Sequence, residues 1–351
     1  MNIDEIVLEA RRQNASDIHM SQGEPVVFRI HGHLTITDFI FDYNELKSML
    51  WTLLSEKQIQ DFEAGNDLDF AFTSSDDNRQ RVNIFKQLGN VSATIRLLNN
   101  HIPTIEELGL PSVLNQLTKE KRGLILVTGP TGSGKSTTLA AMINEINQTR
   151  AEHILTVEDP IEYVYPKNKS IIHQREVGQD VKSFASALRS SLREDPDIIL
   201  VGEMRDFETI SAALTAAETG HLVLSTLHTT GAAQTIDRII DACPGESQQQ
   251  IRTQLTGILK GVITQCLVPT INQKRIVATE VLIGTDAVLN LIRENKCHQI
   301  TATLQAGKQQ GMHTLNMDLT RLVNQGYITK EVALQYSNDR KDLITFIGGV
   351  Y

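Results

Sequence analysis

The sequence contains few cysteines, few aromatic residues and no long apolar segment. Its three cysteines, Cys243, Cys266 and Cys297, stand far apart without a C-x-x-C pair. This spacing argues against a zinc module or a disulfide framework and favours a reducing, cytosolic setting. No run approaches the roughly 18 apolar residues of a membrane-spanning helix, and the acidic, amphipathic N-terminus lacks the plan of a signal peptide. We therefore expect no direct insertion into a membrane.

Positive charge is also scarce. The chain has 33 Lys and Arg against 42 Asp and Glu, a net charge of −9 and a pI near 5.6. Because a nucleic-acid-binding surface is usually basic, this balance argues against a nucleic-acid partner, although a narrow basic channel inside an oligomer stays compatible with it. The length of 351 residues, with 40% hydrophobic and 21% charged residues, indicates a globular protein of about two domains.

The most informative feature is a complete phosphate-binding loop of the form G-x-x-x-x-G-K-[ST]. It follows the apolar run 124–128, a predicted buried strand, and precedes helical spacing over 137–146, which is the context that the motif requires. Its glycines let backbone N–H groups surround phosphates, and the helix N-terminus adds partial positive charge. Lys135 is expected at the β- and γ-phosphates, and the Ser136 hydroxyl on Mg²⁺. The predicted ATP-binding residues are Gly129, Pro130, Thr131, Gly132, Ser133, Gly134, Lys135, Ser136 and Thr137.

Residues 1–99 predict a smaller α+β domain that precedes the loop. A helix begins the chain, two helical stretches cover about 43–64, and a turn is expected at His31–Gly32. Alternating apolar and polar residues predict antiparallel strands at 26–30, 34–36, 67–72, 81–85 and 91–98. Residues 100–111 contain two prolines and are interpreted as the linker.

Residues 112–351 alternate between strands and helices, which predicts an α/β domain with a parallel sheet covered on both faces. The predicted strands are 124–128, 154–157, 198–201, 222–226 and 276–282. Each of the first four is followed within one or two residues by a candidate site residue. In order, these are the phosphate loop, Glu158, Glu203 and His228. Because ligands of open α/β sheets bind at the carboxyl ends of the strands, we expect these ends to meet at one nucleotide site.

Each of these polar side chains has an expected task in phosphoryl transfer. Glu203 follows its strand where a Walker-B carboxylate lies, and we expect it to orient or activate the attacking water. Glu158 is the expected carboxylate on the metal side, acting through water, whereas Asp159 either assists it or shapes the turn before a proline. His228 is expected to sense the γ-phosphate. His221 lies seven residues away along the same strand, too far to share a metal, and is interpreted as structural.

The sequence near the phosphate loop supplies no obvious arginine from the same chain. An arginine finger from an adjacent subunit is therefore a further hypothesis. Its candidates are Arg81 and Arg96, on strands of the first domain, and Arg275. Most exposed arginines are solvated or form weak surface pairs, so the three are candidates only.

Together with the loop, three segments resemble the motifs of a known family. Residues 158–163 are similar to its Asp box, 197–206 to its atypical Walker B and 215–229 to its His box. From about residue 15 to 328 the chain resembles the secretion-superfamily ATPases that drive type II secretion and type IV pili. Within that family, extension and secretion motors usually carry a tetracysteine module that residues 265–282, with Cys266 alone, do not contain. The resemblance is therefore closest to the pilus retraction ATPases.

A second segment favours the retraction branch. Its members carry the motif Ala-Ile-Arg-Asn-Leu-Ile-Arg-Glu, and this chain has Val288 in place of Ile and Leu289 in place of Arg. Leu289 removes one positive charge from the segment. The matching positions are Ala287, Asn290, Leu291, Ile292, Arg293 and Glu294.

The resemblance implies a PAS-like first domain and a RecA-like P-loop ATPase domain, with a C-terminal helical portion at about 284–351. It also implies a homohexameric, Mg²⁺-dependent ATPase whose nucleotide lies between the two domains and near the next subunit. Such a ring is expected in the cytoplasm, at the inner face of the cytoplasmic membrane. There it would dock on an inner-membrane pilus platform protein and act on pilin indirectly, with ATP-driven domain rotation powering pilus retraction and twitching motility.

Three alternatives stay open at this point. One is a pilus extension or type II secretion ATPase of the same superfamily. Another is a hexameric nucleic-acid translocase, against which the acidic balance weighs. The third is a regulatory subunit that binds nucleotide without hydrolysing it, against which the intact Lys135, Ser136 and Glu203 argue.

Overall fold

The fold consists of two compact units. A computed structural model describes residues 2–30, 32–98 and 101–348, so the predicted turn residue His31 and the last three residues lie outside the described part. One unit comprises residues 1–101 with Pro160–Val164, and the other comprises Ile102–Asp159 with Tyr165–Tyr351. The domain boundaries at 99 and 112 stay predictions. The predicted second domain includes Pro160–Val164, whereas the structure groups these residues with the first unit.

Among its described residues, the first unit has a six-stranded antiparallel sheet and three helices. The strand order is β3-β2-β1-β6-β5-β4. Each helix begins with a capping box, in which Asn2, Asp42 or Ser55 accepts a backbone N–H three residues ahead. The elements are α1 (Ile3–Arg12), β1 (Ala15–Ser21), β2 (Pro25–Ile30), β3 (His33–Ile40), α2 (Tyr43–Trp51), α3 (Glu56–Glu63), β4 (Leu68–Thr73), β5 (Arg79–Gln87) and β6 (Asn90–Leu97).

The core of this unit lies between the helices and one face of the sheet. Alternate residues of the strands are buried, and Phe28, Ile84 and Ile95 are fully enclosed. The predicted α+β class is confirmed. Strand β1 was not predicted because only Ile18 and Met20 stand at its buried apolar positions, too few to establish a period of two.

The second unit is an α/β domain on a seven-stranded sheet of order β13-β12-β7-β11-β10-β8-β9. Its strands are β7 (Gly123–Thr128), β8 (His153–Glu158), β9 (Ile171–Glu176), β10 (Ile198–Val201), β11 (Leu222–Leu227), β12 (Leu259–Pro269) and β13 (Arg275–Ile283). Its helices are α4 (Leu114–Leu117), α5 (Lys135–Thr149), α6 (Phe184–Ser191), α7 (Phe207–Glu218), α8 (Ala232–Asp241), α9 (Gln248–Ile258), α10 (Asp286–Arg293), α11 (Ile300–Ala306), α12 (Leu315–Asn324), α13 (Lys330–Tyr336) and α14 (Arg340–Ile347).

The sheet departs from the prediction at its β13 edge. The prediction that 276–282 is a parallel strand is wrong, because β13 pairs antiparallel with β12. The connection of five residues between them permits a hairpin, whereas a parallel crossover needs a dozen or more residues. Strands β9 and β12 were not predicted, but β12 pairs in parallel with β7 and so lies directly beside the phosphate-loop strand.

The core of this unit includes a large apolar cluster and a smaller one. The larger one joins the sheet to α6–α11, and its buried members include Leu124, Ile199 and Val223. The smaller one packs α12–α14 against β12 and β13 around Leu319 and Leu322. In the described ranges, no helix combines the length and the apolar character that a bilayer crossing requires.

Candidate nucleotide site

Four adjacent strands deliver the predicted site residues to one edge of the sheet. The strands β7, β11, β10 and β8 are consecutive neighbours, and all are parallel. Near their carboxyl ends the Cα partners are Thr128 with Leu227, Ser225 with Val201, and Val201 with Val157. The phosphate loop, His228, Glu203 and Glu158 follow or end these strands, so they lie side by side where α/β folds bind ligands.

Positive backbone φ angles shape the phosphate loop. Gly129, Gly132 and Gly134 have φ values of 143°, 77° and 88°, which L-residues with a side chain rarely adopt. Gly129 is also crowded, because a Cβ there would lie 2.2 Å from the backbone oxygen of Gln265. Gly134 is the N-cap of α5. The loop therefore passes into a 15-residue helix whose N-terminus favours anions.

Lys135 is held inside this loop. Its Nζ donates to the carbonyl oxygens of Gly129 at 2.9 Å and Pro130 at 3.1 Å, and the residue is only 9% exposed. Ser136, one residue later on α5, is exposed. The Lys135 ammonium can donate to phosphate oxygens, and the exposed Ser136 hydroxyl oxygen can coordinate Mg²⁺. A bound nucleotide with its Mg²⁺ requires both groups.

Gln265 of β12 forms hydrogen bonds to the phosphate loop and to α5. It was not predicted from the sequence. Its Nε2 donates to the Ser133 carbonyl at 2.7 Å, and its Oε1 accepts from the Thr138 hydroxyl at 2.8 Å. The side chain is 2% exposed, so both polar atoms are committed to the loop and to α5. No local sequence signal identifies this residue, because its partners lie more than a hundred positions away.

One oxygen of the Glu203 carboxylate is close to the side chains of both Arg205 and His228. This oxygen, Oε2, is 2.7 Å from Nε of Arg205 and 3.5 Å from Nε2 of His228. The Glu203 side chain is 15% exposed, compared with 73% for Arg205 and 46% for His228. The structure thus brings Glu203 and His228 together, as expected. It also places an arginine of the same chain at this strand end, where the sequence reasoning found none.

Glu158 is oriented by its neighbours. Its Oε1 accepts hydrogen bonds from the Thr156 hydroxyl at 2.7 Å and from Nε2 of Gln174 at 3.2 Å. Gly202 lies close by, and a Cβ at that position would be 3.4 Å from the Glu158 Cα. A Cβ at Gly202 would also lie 3.3 Å from the Val157 carbonyl oxygen, so a side chain at this position would require small shifts of its neighbours. Asp159, next along the chain, is exposed.

A series of threonine hydroxyls lies beneath the site and was also missed by sequence reasoning. Oγ1 of Thr128 is 2.9 Å from that of Thr264 and 3.5 Å from that of Thr235, which in turn is 2.7 Å from that of Thr229. Thr128 and Thr235 are fully buried. These contacts connect the end of the phosphate-loop strand with the loop that follows His228.

His221 lies at the opposite end of β11 from His228. Its Nδ1 is 2.8 Å from the Ala216 carbonyl and 3.2 Å from the Thr219 hydroxyl, at the exit of α7. Its ring therefore belongs to a helix-to-strand turn at the amino edge of the sheet, away from the carboxyl edge.

The three candidate arginines lie in different settings. Arg81 and Arg96 are cross-strand partners on β5 and β6. Arg81 pairs with Asp69 at 2.6 Å, and Arg96 pairs with Asp17 at 3.0 Å. Arg275, by contrast, begins β13 in the second unit.

A cavity of about 530 Å³ adjoins the phosphate loop within the second unit. Its size is within the range of small-molecule sites. Burial raises the pKa of the Cys266 thiol in its wall to about 11, so this thiol is protonated at neutral pH. The lining includes Pro130, Thr131, Gly132, Ser133, Thr230, Gln265, Cys266, Arg275, Tyr336 and Asn338.

The predicted retraction segment lies on α10 and just beyond it. Ala287, Asn290, Arg293 and Glu294 are exposed, whereas Val288 and Ile292 are buried. Leu289 and Leu291 are partly buried and pack against the larger core. The unusual leucine at 289 therefore has an apolar environment, and the exposed surface consists of the four positions named first.

The chain is similar to several known proteins. It matches the family described as "Type II/IV secretion system protein" over residues 1–347. It is 47% identical to the type IV pilus retraction ATPase PilT of Pseudomonas aeruginosa, covering 95% of this chain and 97% of that one. It is 46% identical to a twitching motility protein of Neisseria gonorrhoeae, covering 90% and 85%. A crystal structure of the pilus retraction motor PilT with bound ADP shares 49% identity and a TM-score of 0.91, covering 97% and 98%.

Proposed function

Because the chain belongs to the Type II/IV secretion system protein family, we propose that it is a Mg²⁺-dependent ATPase motor that powers type IV pilus retraction. The single observation that carries the chemical part is the alignment of the phosphate loop, His228 and Glu203 at adjacent strand ends. The similarity to a pilus retraction ATPase over almost the whole of both chains supports the biological part.

The site residues divide the work of phosphoryl transfer. Lys135 neutralises the β- and γ-phosphates, and the exposed loop residues leave the backbone N–H groups open to them. Glu203 orients the attacking water, and His228, whose ring adjoins Glu203, senses the γ-phosphate. Ser136 holds Mg²⁺, with Glu158 acting through water. When bound, Mg²⁺ neutralises the charge on the phosphates.

The cavity beside the loop suits the remainder of the nucleotide. The phosphate-loop residues form part of its wall, so a base and ribose can occupy it while the phosphates lie on the loop. Arg275 lines this cavity and is available to the same nucleotide. Arg81 and Arg96 are the candidates for a contact with a neighbouring subunit's nucleotide.

The assembly that we propose is a homohexamer at the inner face of the cytoplasmic membrane. In it, hydrolysis moves the two units of each subunit as rigid blocks against an inner-membrane platform protein, and pilin leaves the fibre base as a result. The exposed positions of the retraction segment, Ala287, Asn290, Arg293 and Glu294, are the surface that we assign to retraction. No nucleic acid takes part.

Two substitutions test the chemistry in the purified full chain. Lys135→Ala should abolish nucleotide binding or turnover. Glu203→Gln should lower the turnover rate by about a hundredfold or more while ATP stays bound, because the carboxylate that orients the water is lost. Exposed Glu218→Gln is the matched control and should behave as the unaltered chain. Unchanged steady-state hydrolysis in Glu203→Gln would remove Glu203 from its role.

Mixed rings test the arginines. When Lys135→Ala subunits are mixed with Arg96→Ala subunits, the turnover rate should depend on the mixing ratio in a non-additive way if an arginine acts across the subunit boundary. A rate that is the simple weighted mean of the two pure proteins would count against the hypothesis. Mixing Lys135→Ala subunits with Arg81→Ala or with Arg275→Ala subunits tests the other two candidates by the same departure from additivity.

Pilus length in cells separates retraction from extension. A strain without this protein should carry an excess of static pili and lose twitching motility if the protein retracts them. A strain without pili would instead assign the protein to extension, and a secretion defect with normal pili would assign it to type II secretion.

A further inference from the structure

Arg205 is the residue in closest contact with Glu203. Its Nε lies 2.7 Å from Glu203 Oε2, the oxygen that is also 3.5 Å from His228 Nε2. Glu203 is 15% exposed and Arg205 is 73% exposed. The Glu203 side chain is thus largely buried, whereas its Arg205 partner is largely exposed to solvent.

The backbone of this loop is fixed on both sides of the pair. The Gly202 N–H donates to the Val157 carbonyl at 2.8 Å, and the Met204 N–H donates to the Thr226 carbonyl at 3.1 Å. The Thr226 hydroxyl donates to the Gly202 carbonyl at 2.6 Å. Met204 is buried. In an extended chain, residues on either side of a buried one lie on the same face, and Glu203 and Arg205 flank the buried Met204 in this way.

We infer that Arg205 is a positioning residue for the Glu203 carboxylate. The ion pair at 2.7 Å holds one carboxylate oxygen beside the guanidinium and limits rotation of the group, so that the carboxylate meets the attacking water in one orientation. This inference rests on the proposed role of Glu203. It concerns an arginine that was not among the three candidates predicted from the sequence.

The pair contributes little to the fold, which makes its catalytic effect measurable. Exposed ion pairs have small effects on stability, and the neighbouring helix α7 is capped independently by Asp206, whose side chain accepts from the Thr209 N–H at 2.8 Å. Loss of Arg205 should therefore leave the melting temperature almost unchanged and change the rate of hydrolysis.

The test compares Arg205→Ala with a matched arginine. Arg189 on α6 is 61% exposed and lies 3.9 Å from Glu208 on α7, so Arg189→Ala removes the same charge nearby without touching Glu203. We expect Arg205→Ala to lower kcat by about ten- to a hundredfold, with KM for ATP within about twofold, because misplacing a catalytic group costs rate more than ground-state binding. Arg189→Ala should retain the kcat of the unaltered chain.

Chemical rescue supplies a readout that a merely structural role would not give. Because the Arg205 side chain is largely open to solvent, free guanidinium ion in the buffer should enter the space left by Arg205→Ala and restore part of kcat. It should not rescue Glu203→Gln. Arg205→Lys should have a kcat between those of Arg205→Ala and the unaltered chain, because lysine keeps the positive charge but lacks the planar guanidinium group.

The outcomes are distinct. If Arg205→Ala turns over ATP within about twofold of the unaltered chain, while Glu203→Gln is inactive, this inference fails and the proposed function stands. If Glu203→Gln hydrolyses ATP at the normal rate, Glu203 loses its proposed role and this inference fails with it, while the chain remains an ATPase. A loss of kcat in Arg205→Ala that guanidinium does not restore and that accompanies a fall in melting temperature would also overturn the positioning role.

Discussion

The side-chain amide of Gln265 donates to the Ser133 carbonyl at 2.7 Å, and this bond connects β12 with the middle of the phosphate loop. The same side chain accepts from the Thr138 hydroxyl on α5 at 2.8 Å. One buried residue therefore fixes the position of the loop relative to the helix that follows it. The position of the loop therefore depends on a residue outside the motif.

We expect Gln265→Ala to weaken ATP binding about tenfold and to lower the free energy of unfolding by about 1–3 kcal/mol, because the Ser133 carbonyl and the Thr138 hydroxyl lose their buried partner. Titration of a fluorescent ATP analogue and urea unfolding measure the two effects. The control is Gln254→Ala, which removes an exposed amide that donates to Glu218 at 2.9 Å. Equal affinity in Gln265→Ala and Gln254→Ala would contradict the bracing role.

The glycines of the loop should differ in their tolerance of alanine. A Cβ on Gly129 would lie 2.2 Å from the Gln265 oxygen, whereas a Cβ on Gly132 has no heavy atom within 4 Å. Gly132→Ala should cost only the left-handed backbone strain of about 1–2 kcal/mol. Gly129→Ala should displace the loop and abolish measurable ATP binding. Thermal melting and ATP titration of the two variants check this order, and the reverse order would refute the steric account.

The sequence predicted the fold class and the residues at the strand ends well, because both depend on local signals. A buried apolar run, a glycine-rich loop and an apolar helical period are read within about twenty residues. Glu203 and His228 were placed correctly at the same sheet edge because parallel strands all end on one side.

The other parts of the site depend on contacts between distant residues. Gln265 meets Ser133 only because β12 is a neighbour of β7, and β12 itself was not predicted. The direction of β13 was wrong for the same reason, since strand pairing is not encoded in strand hydrophobicity. Arg205 is different, because it is only two residues from Glu203 in the sequence. Alternate residues of an extended chain lie on the same face, so the proximity of Arg205 to Glu203 could have been predicted.

Cys266 should react slowly with thiol reagents despite its place in the cavity wall. Burial, with a smaller contribution from nearby Asp318, raises its pKa to about 11. Because only the thiolate reacts, and about a thousandth of the thiol is ionised at pH 8, alkylation should be slow there and rise about tenfold per pH unit. Mass spectrometry after iodoacetamide treatment measures the rate at each cysteine. Modification of Cys266 at pH 8 as fast as a free cysteine peptide would contradict this prediction.

Glu280 should make the stability of the chain depend on pH. Its carboxylate accepts from the Ala232 N–H at 2.8 Å and the Leu315 N–H at 3.4 Å. Burial raises its pKa above the usual 4.5, against the lowering effect of these two bonds. A raised folded pKa means that its contribution is complete below about pH 4.5 and is lost as the pH rises through the folded value.

The variant Glu280→Gln removes this titration. The difference in unfolding free energy between Glu280→Gln and the unaltered chain should therefore shift in favour of the variant as the pH rises from about 4.5 to 8. Urea unfolding at several pH values measures the difference. Glu218→Gln on the exposed end of α7 should show a constant difference. A difference for Glu280→Gln that is also constant, or that shifts the other way, would count against the raised pKa.

We expect Leu289 to contribute to the protein by packing against the core, and we expect the loss of the arginine charge of the motif at this position to have little effect on retraction. Its side chain is partly buried against the larger core, whereas Arg293 is exposed and its Nη1 lies 3.4 Å from Asn290 Oδ1. In Leu289→Arg the aliphatic stem can follow the same apolar surface while the guanidinium reaches solvent, so the cost should be about 1 kcal/mol or less.

We therefore expect Leu289→Arg to keep its ATPase rate and its pilus retraction speed within about twofold of the unaltered chain. Arg293→Ala should reduce retraction while its ATPase rate is retained, because the exposed surface of this segment is lost and the nucleotide site is untouched. Retraction force or speed on single pili, measured beside hydrolysis by the purified proteins, separates the two effects. If Leu289→Arg alone accelerates retraction strongly, charge at position 289 is used in the motor, and packing does not account for the leucine.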